Sequence, residues 1–250
     1  MNLGFTQGDS RENVAGNCEL FLEAAGAQSK DGRMWPLVQM RQLHSSVVHR
    51  VSAAPREPLA GDGLITSAPG LLLAVKTADC VPVLVADVKR RAVGAFHAGW
   101  RGTVARVVEK GIGEMRRQFG SVPGDLRAVI GPSIRRCCYQ VGAEVRAQFE
   151  SQFSYTDDLF EEIFDANAVH VRYPLLFLNQ RAPGHGELGP EIHLDLVEAN
   201  QRQLQDAGIR EAHISVIEGC TACDTQRFFS HRAEFGQTGR MMAVIGLRPN

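Results

Sequence analysis

The stretch "LLLAVKTADCVPVLVADVKRRAVGAFHAGWRGT", residues 71–103, decides the fold. Its three apolar runs, Leu71–Val75, Val81–Ala86 and Ala92–Phe96, are short and bounded by turn-forming residues. Runs of that kind are buried strands. From Thr103 to Phe119 the period changes. Val104, Val107, Val108, Ile112, Met115 and Phe119 recur at steps of three and four, the stripe of an amphipathic helix.

Working outward, residues 10–25 form a helix with Ser10 as N-cap and Val14, Leu20, Phe21 and Ala24 as its apolar residues. A strand at Leu126–Ile130 ends in Gly131-Pro132, and a helix covers Val141 to Phe149. Residues 151–192 are irregular, apart from a strand-like YPLLFL and the Gly/Pro loop of residues 182–190. Asp195, with Glu198 three residues later, is a capping-box signature for a helix running to Gly208. His213–Ile217 and Met241–Leu247 close the chain as strands. Strands and helices alternate and no linker interrupts them, so residues 1–250 are expected to form one α/β domain.

Composition narrows the function. A formal net charge of −1 lacks the basic excess of a nucleic-acid binder, and the clusters at residues 89–91, 116–117 and 135–136 are short solvated faces. No apolar run approaches the ~20 residues of a membrane span, and residues 1–4 carry no signal-peptide pattern. Six cysteines without a secretory signal fit a reducing, cytoplasmic setting, with thiols free for metal or catalysis. The sequence leaves monomer and homodimer equally open.

Three potential ligands sit at the edges of the apolar core: His44 in QLHSS, Cys80 between two strands, and His97 at the end of the next. Their separations, 36 and 17 residues, are too wide for a finger-type pair and suit a site assembled from separate strand ends. Two imidazoles and a thiolate suit Zn²⁺ with a fourth position left open, and are compatible with copper. Asp79 is placed to serve a bound water or a ligating histidine, and Gln42 shares the side of His44 if that segment is extended. Gly99 and Gly102 let backbone approach a ligand, the following helix start offers N–H groups, and Arg101 adds a charged fork for phosphate or carboxylate. Cys220-Thr-Ala-Cys223 is half a zinc site or a redox pair. Its pairing with His185-Gly-Glu187 as a deaminase signature is disfavoured, because Gly219 stands where that signature has proline. The adjacent Cys137 and Cys138 are expected to be structural, since neighbours rarely aim both sulfurs at one ion.

In order along the chain, QLHSS, TADCVPVLVAD, FHAGWRGT, IGPSIRRCCYQVG, HLDLVEANQRQL and CTACDTQRFFSHRAEFGQTGRMMAVIGL span residues 42 to 247. Together they resemble the YfiH-type family, once labelled polyphenol oxidases or laccases and now described as multifunctional purine nucleoside phosphorylases. The resemblance implies a single layered α/β domain of cysteine-hydrolase-like architecture, with His44, Cys80 and His97 as zinc ligands. It implies phosphorolysis of adenosine, guanosine, inosine and methylthioadenosine, and deamination of adenosine to inosine. Purine nucleosides and phosphate are then the partners. Asp79 and Arg101 become the catalytic candidates, and Gln42, Gly99, Gly102, Ser230 and Arg232 the substrate contacts. Two departures stand out: Ser45 replaces the usual glycine, and the family's opening strand with its Arg-x-Gly-Gly segment is expected to be missing before Asn2. Two alternatives compete, a copper-dependent phenol oxidase and a cell-wall-precursor hydrolase with Cys80 as nucleophile and His97 as base.

Overall fold

The computed structural model describes residues 1–6, 8–29, 31–164, 172 and 190–249. Helix α1 (Arg11–Ala24) is capped as its sequence predicts, the Ser10 hydroxyl accepting the Asn13 N–H at 3.1 Å. It buries Val14 and Leu22, whereas Leu20 faces outward, so the inward face lies slightly off the one read from the sequence. The expected alternation of strands and helices does not follow. Eight strands succeed one another before the next helix: β1 (Leu37–Val38), β2 (Met40–Arg41), β3 (Val48–Arg50), β4 (Leu59–Ala60), β5 (Gly63–Thr66), β6 (Leu72–Thr77), β7 (Val81–Asp87) and β8 (Ala92–Ala98). The helical period of the sequence is confined to other segments, and these strands instead make layers.

The central layer is a mixed six-stranded sheet. The hairpin β7–β8 lies at its middle, with β5 antiparallel to β8 and β3 parallel to β5 on one side. On the other side β9 (Arg127–Ile130) runs antiparallel to β7. Strand β13 (Ile214–Val216) lies parallel to β9 at the edge. Period-two alternation divides these strands between two cores. Ile65, Val81, Val83, Val85 and Phe96 face the helices, while Leu64, Val93 and Ala95 face a second sheet. That sheet sets β6 between parallel β1 and antiparallel β14 (Met241–Gly246). With both faces covered, all seven residues of β8 are buried, which is why its sequence is a continuous small-apolar run. Strands β2 and β4 pair separately.

The helix expected over Thr103–Phe119 is divided. Helix α2 (Trp100–Val104) stops, Arg106 takes a left-handed conformation (φ 60°), and α3 (Val107–Phe119) restarts. The Arg106 guanidinium is held by Glu109 at 2.7 Å and lies 4.6 Å from the Phe153 ring centroid. The amphipathic stripe survives in α3, which buries Val107, Val108, Ile112 and Met115 against the central sheet. Phe96 requires glycine at residue 111, where a Cβ would fall 2.2 Å from its ring.

Beyond β9 come β10 (Gln140–Val141), α4 (Ala143–Glu150), α5 (Thr156–Leu159), β11 (Phe160–Ile163), β12 (Glu191–Leu194) and α6 (Leu196–Asp206). Strands β10, β12 and β11 form a small antiparallel sheet, so the segment read as irregular carries order at both ends. YPLLFL and the 182–189 part of the Gly/Pro loop lie outside the described residues. Asp195 accepts the Glu198 N–H at 2.9 Å, but the Glu198 carboxylate turns to Arg202, so only half of the capping box forms. No helix among the described residues is long and apolar enough to cross a membrane.

Candidate metal centre

Strand register brings the three expected donors together. In the β7–β8 hairpin Val81 pairs with Ala98 and Pro82 with His97, so Cys80, just before β7, lies beside the end of β8. Asp79, at φ 92°, makes the tight connection from β6 that delivers it. His44 arrives from the loop between β2 and β3 in a left-handed conformation (φ 58°), its Nε2 3.7 Å from Cys80 Sγ. The His44 and His97 rings meet edge to face at 4.9 Å, and the three donor atoms lie within 4.8 Å of one another.

A residue the sequence reading passed over organises this set. Asp62, fully buried just before β5, accepts the backbone N–H groups of Leu43, His44 and Ser45 and the Ser45 hydroxyl. Its Oδ1 also lies 2.8 Å from His97 Nδ1. A carboxylate there makes His97 donate through Nδ1, which leaves Nε2 for an ion. Ser45, the departure from the family pattern, contributes two of these hydrogen bonds. Burial works against the Asp62 charge, yet the bonds from His97 and Ser45 prevail and hold its carboxyl well below the usual range.

The donors hold charge of both signs. Burial pushes the Cys80 thiol up, but His97 and His44 outweigh it and bring it to about 6. Burial likewise disfavours His97 protonation, but the Cys80 thiolate and then Asp62 raise it to about 9. Without metal the centre keeps a proton on His97, and a cation is what its surroundings stabilise. The backbone is shaped to match: a Cβ at residue 99 would come 2.7 Å from His44 Cδ2 and 3.0 Å from Cys80 Sγ, so only glycine lets the chain close over the donors. Two imidazoles and one thiolate around such a point fit Zn²⁺.

The donors open into a cavity of about 700 Å³. Gln42, Asp79, Arg101 and Arg232 line it. So do residues the sequence did not single out: Lys76, Arg240, His231, and the aromatic side chains of Phe5, Trp100 and Tyr139. Asp79 is the one carboxylate among the described lining residues. It accepts Thr221 Oγ1, Ser230 Oγ and the Arg232 N–H, each at 2.7 Å. Arg101 lies 4.3 Å over the Trp100 ring and Arg232 5.4 Å from that of Tyr139. Burial lowers the Lys76 pKa, with Arg240 adding to the fall.

Other expected contacts turn inward. The Gln42 amide bonds the Lys76 backbone at both ends, each at 2.8 Å, and so ties its loop to β6. Gly102 sits against the carbonyls of Ser45 and His97, and the Ser230 hydroxyl is engaged with Asp79. Helix α2 has only five residues, so its dipole is small and anion attraction falls to the arginine and lysine side chains.

A correction concerns four other cysteines. Cys137 and Cys138 do aim their sulfurs together, 3.7 Å apart, and both converge with Cys220 and Cys223. The peptide between them lies in a turn after β9, which points both side chains the same way. His185 and Glu187 lie outside the described residues.

Comparison with known proteins finds relatives along nearly the whole chain. Residues 1–248 match the family described as multi-copper polyphenol oxidoreductase laccase. The chain is 35% identical to a purine nucleoside phosphorylase of Deinococcus radiodurans, over 99% of this chain and 82% of that one. It is 35% identical to adenosine deaminase RL5 of an unknown prokaryotic organism, over 84% and 74% of the two chains. Among solved structures, the Bacillus licheniformis hypothetical protein YfiH superposes with a TM-score of 0.80 at 32% identity, covering 99% of this chain and 85% of that one.

Proposed function

The chain belongs to the family described as multi-copper polyphenol oxidoreductase laccase, and from that membership we propose that it is a metal-dependent purine nucleoside enzyme with phosphorylase and adenosine deaminase activities. One observation carries this reading: a single cavity joins the His44–Cys80–His97 donors to four cationic side chains and three aromatic side chains. Aromatic faces suit a purine, and a cationic wall suits phosphate.

In phosphorolysis a phosphate oxygen attacks the sugar C1′, the N-glycosidic bond breaks, and the base leaves with its electron pair and then takes a proton. Arg101 and Arg232 neutralise and orient the phosphate. Phe5, Trp100 and Tyr139 hold the base. In deamination water adds to C6 of adenosine and ammonia leaves. Asp79 is the proton carrier of the cavity. Its three donors fix its orientation, and Oδ2, with a single bond from Arg232, keeps a lone pair for the proton. Asp62 positions His97 and His44 and touches no substrate. When bound at His44, Cys80 and His97, Zn²⁺ supplies Lewis acidity toward water or a phosphate oxygen. Adenosine, guanosine, inosine and methylthioadenosine are the proposed substrates, and the cytoplasm is the proposed location.

A second reading has an observation in its favour. Cys80, His97 and Asp62 also form a thiolate–imidazolium–carboxylate line, the arrangement of a cysteine hydrolase. A thiolate ligated to zinc resists alkylation, whereas a nucleophilic one reacts readily. Copper oxidation of phenols has less support. Among the described residues the donor groups are this set and one of four cysteines, with no second imidazole cluster.

The test is to incubate zinc-loaded protein with adenosine, with and without phosphate, and to separate the products by chromatography. The reading requires adenine only with phosphate, inosine without it, and neither from His97→Ala. Absence of both products from the wild-type chain, together with rapid alkylation of Cys80, transfers support to the hydrolase.

A further inference from the structure

The nucleoside cavity makes no use of the four cysteines at the far side of Asp79. Cys137 and Cys138 follow β9, and Cys220 and Cys223 follow β13. Those strands are parallel neighbours, and a bridge between Ser133 and Cys220 extends their pairing into the loops. Register therefore sets a Cys-Cys pair and a Cys-x-x-Cys pair against each other, although more than 80 residues separate them.

The sulfur geometry is that of a ligand shell. Cys137 Sγ lies 3.6 Å and Cys138 Sγ 3.3 Å from Cys223 Sγ, Cys137 and Cys138 are 3.7 Å apart, and all four sulfurs lie within 4.8 Å of one another. Four thiolates at Zn–S bonds of about 2.3 Å in a tetrahedron stand about 3.8 Å apart. The span is too small to enclose a multi-iron cluster and suits one ion. Cys220 Sγ also receives the Arg135 N–H at 3.4 Å, and the Arg135 guanidinium clamps the same loop through the carbonyls of Ile217 and Gly219. Such N–H···S bonds accompany thiolates that carry charge into a metal.

We propose that Cys137, Cys138, Cys220 and Cys223 form a second metal site, a structural tetrathiolate centre for Zn²⁺, distinct from the His44–Cys80–His97 centre. A closed four-sulfur shell leaves no open position, so it holds structure and takes no part in turnover. Filling it releases the thiol protons, and the ion's charge balances the thiolates that result. What it fixes is the wall of the cavity. Tyr139 is the next residue after Cys138, and Thr221, between the other two cysteines, donates to Asp79 at 2.7 Å.

The experiment measures metal per chain by mass spectrometry, with cobalt(II) absorption, in the full-length protein and two double variants. The wild-type chain is expected to carry two zinc ions, with one left in Cys137→Ser/Cys223→Ser and one in His44→Ala/His97→Ala. Loaded with cobalt, the histidine variant is expected to show a thiolate-to-metal charge-transfer band several-fold stronger per ion than the cysteine variant, reflecting four thiolates against one. The histidine variant leaves the four cysteines intact, so the test stands even if the cysteine variant fails to fold. A metal-free histidine variant, or peptide mapping that finds the four cysteines joined in disulfides, overturns the proposal.

Discussion

Asp62 carries more of the centre than any metal donor does, because one carboxylate orients His97 and holds the loop of His44 through five hydrogen bonds. Asp62→Asn places an amide N–H against either the His44 N–H or those of Leu43 and Ser45. Zinc affinity at the three-donor centre is expected to fall 10–100-fold, as is usual when the partner of a ligating histidine is removed. Competition with a chromophoric chelator measures this, and unchanged affinity would deny Asp62 its positioning role. The same centre fixes a pH dependence. Zinc must displace the His97 proton, which is held up to about pH 9, so affinity should drop about tenfold per unit as pH falls from about 9 to about 6. Below about 6 the Cys80 thiolate takes up a proton as well, and the slope should steepen. The donors themselves were legible as strand-end residues flanking apolar runs. Asp62 was not, because its partnership with His97 depends on the pairing of Gly63 with Phe96 across β5 and β8. Its one local trace is a carboxylate between two glycines at the mouth of a buried strand.

At the scale of elements, α3 and β8 fit through a single omission. Gly111 in mid-helix forgoes about 1 kcal/mol of helix propensity relative to alanine, and leaves the space that the Phe96 ring fills. Gly111→Ala is therefore expected to destabilise the fold by about 1–3 kcal/mol despite its better propensity, with Phe96→Leu in the same chain recovering part of the loss. Urea unfolding at constant slope reads the difference, and a stabilised single variant would contradict the packing described. Strands β7 and β8 were legible because burial on both faces leaves an unbroken apolar run, and the stripe of α3 because burial on one face leaves a helical period. The break at Arg106 was not, since the apolar spacing continues across it and the stop lies in one backbone angle. The second cysteine group was hidden for a related reason. Reading Cys137 and Cys138 as neighbours took no account of the turn after β9, or of the parallel pairing that carries Cys220 and Cys223 across to meet them.

Across the whole molecule, the central sheet serves as a platform whose strand ends and connecting loops deliver donors, cations and aromatics to one opening. The division of labour within that opening is testable. Arg101 is assigned to phosphate, so Arg101→Gln is expected to slow phosphorolysis about 10–100-fold, the range for a hydrogen bond to a charged group, while adenosine deamination changes little. Equal losses in both reactions would show that Arg101 serves the nucleoside instead. The cavity cations Lys76 and Arg240 escaped the sequence reading because each belongs to a strand or strand entrance far along the chain, and only the pairing of β6 with β14 sets them side by side. The central claim, that nucleoside chemistry depends on an ion at His44, Cys80 and His97, is tested most directly by following adenosine turnover as zinc is returned to metal-stripped protein. Turnover should be absent at the start, rise as the three-donor centre fills and then level off, with His97→Ala flat throughout. Full turnover by the stripped protein would contradict it.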